Sequence, residues 1–153
     1  MQGVKNIILD LGGVLFNIDF KKLAAAFVAL GIENFSEMYT QHHSNDLFAQ
    51  LETGAITPNE FYDAFRANTQ VALSNEQIKT AWNALLIDFR LPSIAWLKTI
   101  KNKYRVFLFS NTNQIHYEAF LQTYFNQTGA NNFNDFFEKA YYSQQMGMRK
   151  PSL

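Results

Sequence analysis

The chain has 153 residues, room for one ordinary domain or one domain with a modest insertion, and its 13 Lys and Arg balance 13 Asp and Glu. A formal charge of zero argues against general affinity for nucleic acid or an anionic membrane, which need an excess of basic residues. The absence of cysteine excludes disulfides, thiolate metal sites and cysteine nucleophiles.

Hydrophobic residues make up 48% of the chain and charged residues 17%, so it can bury a core; 15 Phe and 7 Tyr point to bulky packing or an apolar pocket. Met1 to Lys5 carry no signal-peptide pattern, and no apolar run approaches the roughly 18–20 residues of a membrane span. The expectation is a soluble, cytoplasmic globular protein with no nucleic-acid or membrane partner.

In chain order, Ile7-Ile8-Leu9 is apolar throughout, the habit of a strand buried on both faces, and it ends at Asp10 before Gly12-Gly13. Phe20 to Leu30 predicts a helix with Leu23, Phe27 and Leu30 on one face, stopped by Gly31. Asp19 is expected to cap it rather than to act as a substitute acid. A further helical stretch, Asp46 to Glu52, precedes Thr53-Gly54. Thr57-Pro58-Asn59-Glu60 and Ser74-Asn75-Glu76-Gln77 both read as capping boxes, the second opening a helix through Leu86. Leu91-Pro92 starts another helix. Val106 to Phe109 predicts a second strand, ending at Ser110-Asn111-Thr112-Asn113, with Ser110-Asn111 capping the helix that begins near Gln114. A weaker third strand, Ala140 to Tyr142, leads to Gly147-Met148-Arg149-Lys150-Pro151.

Three strands thus deliver polar residues at their carboxyl ends, the edge where open α/β sheets bind ligands. Asp10 can serve as a nucleophile, since carboxylates form covalent phosphoryl intermediates. Ser110 and Asn111 can donate hydrogen bonds to phosphate oxygens, and Lys150 can offset charge on both carboxylate and phosphate. Gly12 and Gly13 let the backbone pass close to a ligand. Phe16, leaving that loop, is placed to floor a substrate pocket. Trp82, Phe61 and Phe65, at helical spacing, read as core. His42-His43 reads as polar surface, because adjacent histidines on a helix diverge by about 100° and a metal needs a third ligand. His116 reads as a helix-face residue near the site. No dinucleotide or P-loop glycine motif is present.

The stretches Ile-Leu-Asp10-Leu-Gly-Gly-Val-Leu, Leu-Phe-Ser110-Asn-Thr-Asn and Gly-Met-Arg-Lys150-Pro resemble motifs I, II and III of the haloacid dehalogenase (HAD) superfamily. Their wording is similar to its sugar-phosphatase and epoxide-hydrolase amino-terminal phosphatase branch. The resemblance implies an α/β fold, a Rossmann-like three-layer parallel sheet, formed by residues 1–18 and 90–153, with a helical C1 cap inserted over 19–89. It further implies a magnesium-dependent hydrolase acting on a small phosphorylated metabolite, a sugar phosphate, through an aspartyl-phosphate on Asp10, with Ser110 and Lys150 as the other catalytic residues. Gly12, Gly13, Asn111 and Phe16 would contact substrate. Mg2+ would bind the Asp10 carboxylate and the Gly12 carbonyl.

Two departures from that pattern stand out. Where phosphatases of the family carry a second Asp as general acid, two residues after the nucleophile, this chain has Gly12. An acidic fourth motif is absent, and the chain stops three residues after Lys150. The expectation is therefore a fragment whose bare sheet edge and metal site would be completed by about 50 further residues, two strand–helix units, without which the short form is inactive. Two alternatives remain open: a 2-haloacid dehalogenase, in which Asp10 attacks carbon without metal, and a phospho-ligand-binding pseudoenzyme.

Overall fold

A computed structural model describes residues 3–39 and 46–151. Three parallel strands, β1 (Asn6–Leu9), β4 (Arg105–Ser110) and β5 (Lys139–Tyr142), form a sheet in the order β1-β4-β5. Ile7 pairs with Val106, and Leu108 with Ala140, so all three carboxyl ends fall on one edge. The fold is the expected α/β type, and each strand extends one residue or so beyond its apolar run.

The sheet alternates between two faces, as a pleat must. Val106 and Leu108 point into a cluster with Ile94, Leu97 and Ile100 of α6 (Leu91–Ile100) and Phe120 and Tyr124 of α7 (Gln114–Thr128). The other face carries Ile8, Phe107, Phe109 and Tyr141 along a shallow apolar groove, and Ile8 is 68% exposed. Among the described residues, α6 and α7 pack on one face of the sheet, and the other face carries this groove.

Between β1 and α6 the chain builds a second cluster from α1 (Phe20–Val28), α2 (Phe35–Met38), α3 (Asp46–Glu52), α4 (Pro58–Thr69) and α5 (Asn75–Asn83). Its interior is aromatic: Phe27 stacks on Phe35 at 4.1 Å and Phe48 on Trp82 at 5.1 Å, with Phe61 and Phe65 buried beside them. The local signals for these helices are physical ones. Asp19 accepts from the N–H groups of Lys21 and Lys22, and Thr57 and Ser74 both close reciprocal capping boxes.

Helix α5 does not run through Leu86 as its periodicity suggests. It ends at Asn83, and Leu86–Phe89 forms β3, antiparallel to β2 (Phe16–Ile18). The reason is tertiary: Phe89 is buried edge-on against Phe16 at 4.7 Å, and Gln127 of α7 bonds both backbone groups of Phe89, accepting from its N–H at 2.8 Å. This two-stranded ribbon is the double passage between the helical cluster and the sheet.

Candidate active site

Asp10, Ser110 and Lys150 come together at the carboxyl edge of the sheet. They line one cleft of about 470 Å³ with Leu11, Gly12, Phe16, Asn111 and Thr112, facing Tyr39 and Glu52 of the helical cluster. Lys150 Nζ lies 3.1 Å from Asp10 Oδ2, donates to the Phe109 carbonyl at 2.6 Å and sits over the Phe109 ring. The Asp10 side chain is 47% exposed, and its other oxygen accepts from the Leu11 N–H at 2.8 Å. A half-exposed carboxylate held by a backbone donor and an ammonium keeps a lone pair for an incoming electrophile. Ser110 is buried, its hydroxyl reaching the Asn111 carbonyl only at 3.4 Å, a weak contact that a better acceptor can replace.

Asn111 and Gly13 make contacts of their own with the backbone. The Asn111 side chain is turned to the backbone of Lys150, donating to its carbonyl at 2.6 Å and accepting from its N–H at 2.8 Å, while the residue also lines the cleft. Gly13 does not line the cleft. It takes φ +75° and donates to the Phe16 carbonyl at 2.8 Å, the requirement of a tight turn. The α7 cap is Asn113, whose side chain accepts from the His116 N–H at 3.0 Å, and not Ser110-Asn111, because the latter residues are committed to the strand end and to Lys150. Gly12 lines the cleft as expected; a Cβ there would press within 3.2 Å of Ile18. Phe16 also lines it. His42 and His43 lie outside the described residues.

No family model matches the chain. A D-ribitol-5-phosphate phosphatase of Bacteroides thetaiotaomicron is 30% identical over 149 residues, 97% of this chain and 72% of its own length. The chain belongs to the HAD family of hydrolases. Among solved HAD structures, an enzyme from Bacteroides thetaiotaomicron in complex with magnesium and inorganic phosphate superposes with a TM-score of 0.86 at 36% identity, covering 98% of this chain and 74% of that one. A predicted HAD-like hydrolase from Porphyromonas gingivalis gives 0.86 at 30% identity, covering 97% and 71%.

Within this HAD chain, Ser143 and Glu52 shape the site without having been singled out from sequence, and His116 does more than its sequence position suggests. Ser143, fully buried after β5, donates to the Thr112 carbonyl at 2.7 Å and accepts from its N–H at 2.9 Å, clamping the loop that follows Ser110. His116 is no mere helix-face residue. It stacks on Trp82 at 4.7 Å and lies inside the contact between helices α5 and α7. Asn113 Oδ1 accepts from the His116 N–H and the Trp82 indole, so its amide nitrogen donates to His116 Nδ1 at 3.2 Å. The remaining proton then sits on Nε2, which donates to the Trp82 carbonyl at 3.0 Å. Burial pushes the imidazole pKa down to about 4, so the ring is neutral at physiological pH.

Glu52 closes the opposite side of the cleft. Its carboxylate accepts from the Tyr39 hydroxyl at 3.0 Å and pairs with Arg149 Nε at 2.7 Å, with its side chain 5% exposed. Burial raises its pKa above the ordinary carboxylate range, opposed by the Arg149 charge and the Tyr39 hydrogen bond. The same burial raises that of Tyr39, with the Glu52 charge adding to it. A sequence signal for Glu52 exists: it stands four residues after Phe48 and beside Leu51, on the apolar side of α3, where an acid needs a partner.

Proposed function

We propose that the chain is a phosphomonoesterase for a small phosphorylated polyol or sugar, with Asp10 as the nucleophile and residues 19–89 as a cap over the cleft. The observation that carries this reading is the Lys150–Asp10 contact at 3.1 Å beside Ser110, at the carboxyl edge of a parallel sheet. The name of the ribitol-phosphate relative supports the substrate class.

In this reading an Asp10 oxygen attacks phosphorus, the bond from phosphorus to the substrate oxygen breaks, and water then cleaves the resulting acyl phosphate to restore the carboxylate. Lys150 and Ser110 offer fixed donors to the phosphoryl oxygens, and loss of one such donor costs about 3–4 kcal/mol of barrier. Glycine at position 12 leaves leaving-group protonation to water in the cleft. That favours substrates whose departing oxygen is weakly basic, so within the proposed class sugar 1-phosphates should turn over faster than pentitol phosphates.

The Asp10 carboxylate and the Gly12 carbonyl are hard oxygen donors of the kind magnesium takes alongside waters and substrate phosphate. Among the described residues no group of three or more His, Asp or Glu stands ready to hold an ion. When bound there, magnesium supplies charge neutralisation between carboxylate and phosphate. The magnesium-and-phosphate complex of the similar Bacteroides enzyme supports the same pairing.

The test is release of inorganic phosphate by the natural full-length protein from a panel of pentitol and sugar phosphates, with millimolar magnesium or with EDTA. Magnesium-dependent phosphate release from polyol or sugar phosphates is expected. Release of halide from 2-haloacids without magnesium, and no phosphate from any member of the panel, would overturn it.

A further inference from the structure

The one strongly buried carboxylate in the described cleft belongs to the helical insertion, yet its cationic partner precedes Lys150 in the chain. A buried ion pair is an expensive way to hold two surfaces together, since apolar side chains of similar volume do so at lower desolvation cost. Its placement therefore calls for a reason besides adhesion.

Two contacts bring the insertion onto the segment that carries Lys150. At the end of α3, Gly54 adopts φ +69° and packs so closely on α8 (Ser143–Met146) that a Cβ would lie 2.2 Å from the Gln144 carbonyl oxygen. One turn of backbone is thus pressed directly on another. Two residues before Gly54, Glu52 reaches Arg149. From the sheet side, Asn111 grips the N–H and carbonyl of Lys150. Two bonds to one residue fix its peptide groups but leave the chain free to pivot about them, and Arg149 is anchored on the opposite side of that pivot. The connected series runs Tyr39, Glu52, Arg149, Lys150, Asp10.

We infer that Glu52 is a positioning residue: through Arg149 it sets the 149–150 segment so that Lys150 Nζ lies on the Asp10 carboxylate, tying docking of the helical insertion to alignment of the site. Glu52 does not act as the acid that Gly12 lacks. Its Oε2 is closed off from solvent, and Oε1 is occupied by the Tyr39 hydroxyl. The catalytic part of this inference rests on the phosphatase reading; the geometric part does not.

The test is Glu52→Gln, which keeps the shape and the Tyr39 bond while removing the charge. Three readouts apply: a crystal structure, thermal unfolding, and kcat and KM on p-nitrophenyl phosphate, a substrate with no polyol to touch the cap. The Lys150–Asp10 separation should open beyond about 4 Å, the limit of an ion pair. The kcat should fall by about tenfold or more, because small misplacements of reacting groups are costly. KM should hold, and the melting temperature should fall, because the Arg149 charge loses its Glu52 counter-charge, and recover when Arg149→Met removes that charge as well. Adding Arg149→Met to Glu52→Gln should lower kcat no further, since residues acting as a unit are not additive. If Glu52→Gln fails to fold, Arg149→Lys carries the same measurements, with lowered kcat and unchanged KM expected.

An unmoved Lys150 in the variant overturns the inference, as does unchanged kcat, a rise in KM alone, or additive loss in the double variant. If no form of the enzyme turns over phosphate esters, the phosphatase reading falls. The Lys150–Asp10 distance in the variant then still decides the positioning role.

Discussion

The helical insertion touches the sheet region in two ways that obey opposite physics. At Trp82 it presents a ring to a neutral, buried histidine, whose ring nitrogens and the indole N–H find partners in Asn113 and the Trp82 carbonyl. At Glu52 it presents a charge to a charge, beside the cleft and one residue from Lys150. The first contact gains from apolar burial and from a histidine whose proton is pinned to one nitrogen. The second pays desolvation for direction. The difference suggests that stability and catalytic alignment are carried by separate contacts, and that each can be broken without the other.

The largest effect should come from Trp82→Ala. Truncating a fully buried indole at the centre of the aromatic cluster should cost about 3–5 kcal/mol. Urea unfolding measures this directly, and a loss below 1 kcal/mol, by the usual scale of surface changes, would mean the ring is not a core element.

A smaller effect concerns acid. His116 has its pKa depressed to about 4 from an ordinary 6.5, with burial as the main cause and its bond to the Trp82 carbonyl opposing it. Between these values the unfolded chain takes up a proton that the folded chain refuses. The histidine's contribution is therefore complete above pH 6.5 and is lost as pH falls toward 4. The loss should approach about 3 kcal/mol across that window. Unfolding free energies from pH 7.5 to 4.5, compared between the parent chain and His116→Gln, isolate it from the carboxylates. The two curves should converge as pH falls, and parallel curves would contradict the neutral, buried assignment.

Much of the fold was legible because its signals are local. Thr57 and Ser74 announce helix starts through partners three residues on, and Asp19 caps through the two N–H groups that follow. Asp10, Ser110 and Lys150 were legible for a different reason: each closes or follows an apolar run, and parallel pairing brings those ends to one edge. What escaped depends on distant partners. The Leu86–Phe89 stretch continues a helical pattern until Phe16, seventy-three residues earlier, supplies a facing strand. His116 needs Trp82, and the Asn111 side chain finds the Lys150 backbone only once Lys150 is beside it. Glu52 and Arg149 are ninety-seven residues apart, with no spacing rule to join them.

The proposed reaction turns on Asp10. The measurement is rapid-quench peptide mass spectrometry of the full chain during turnover of a pentitol phosphate with magnesium, alongside the Asp10→Asn variant. One phosphoryl group should appear on the peptide that contains Asp10 in the parent chain. The variant should carry none and release no phosphate while unfolding at the same denaturant concentration. Sustained phosphate release by a folded Asp10→Asn chain, or a phosphoryl group found on another residue, would contradict it.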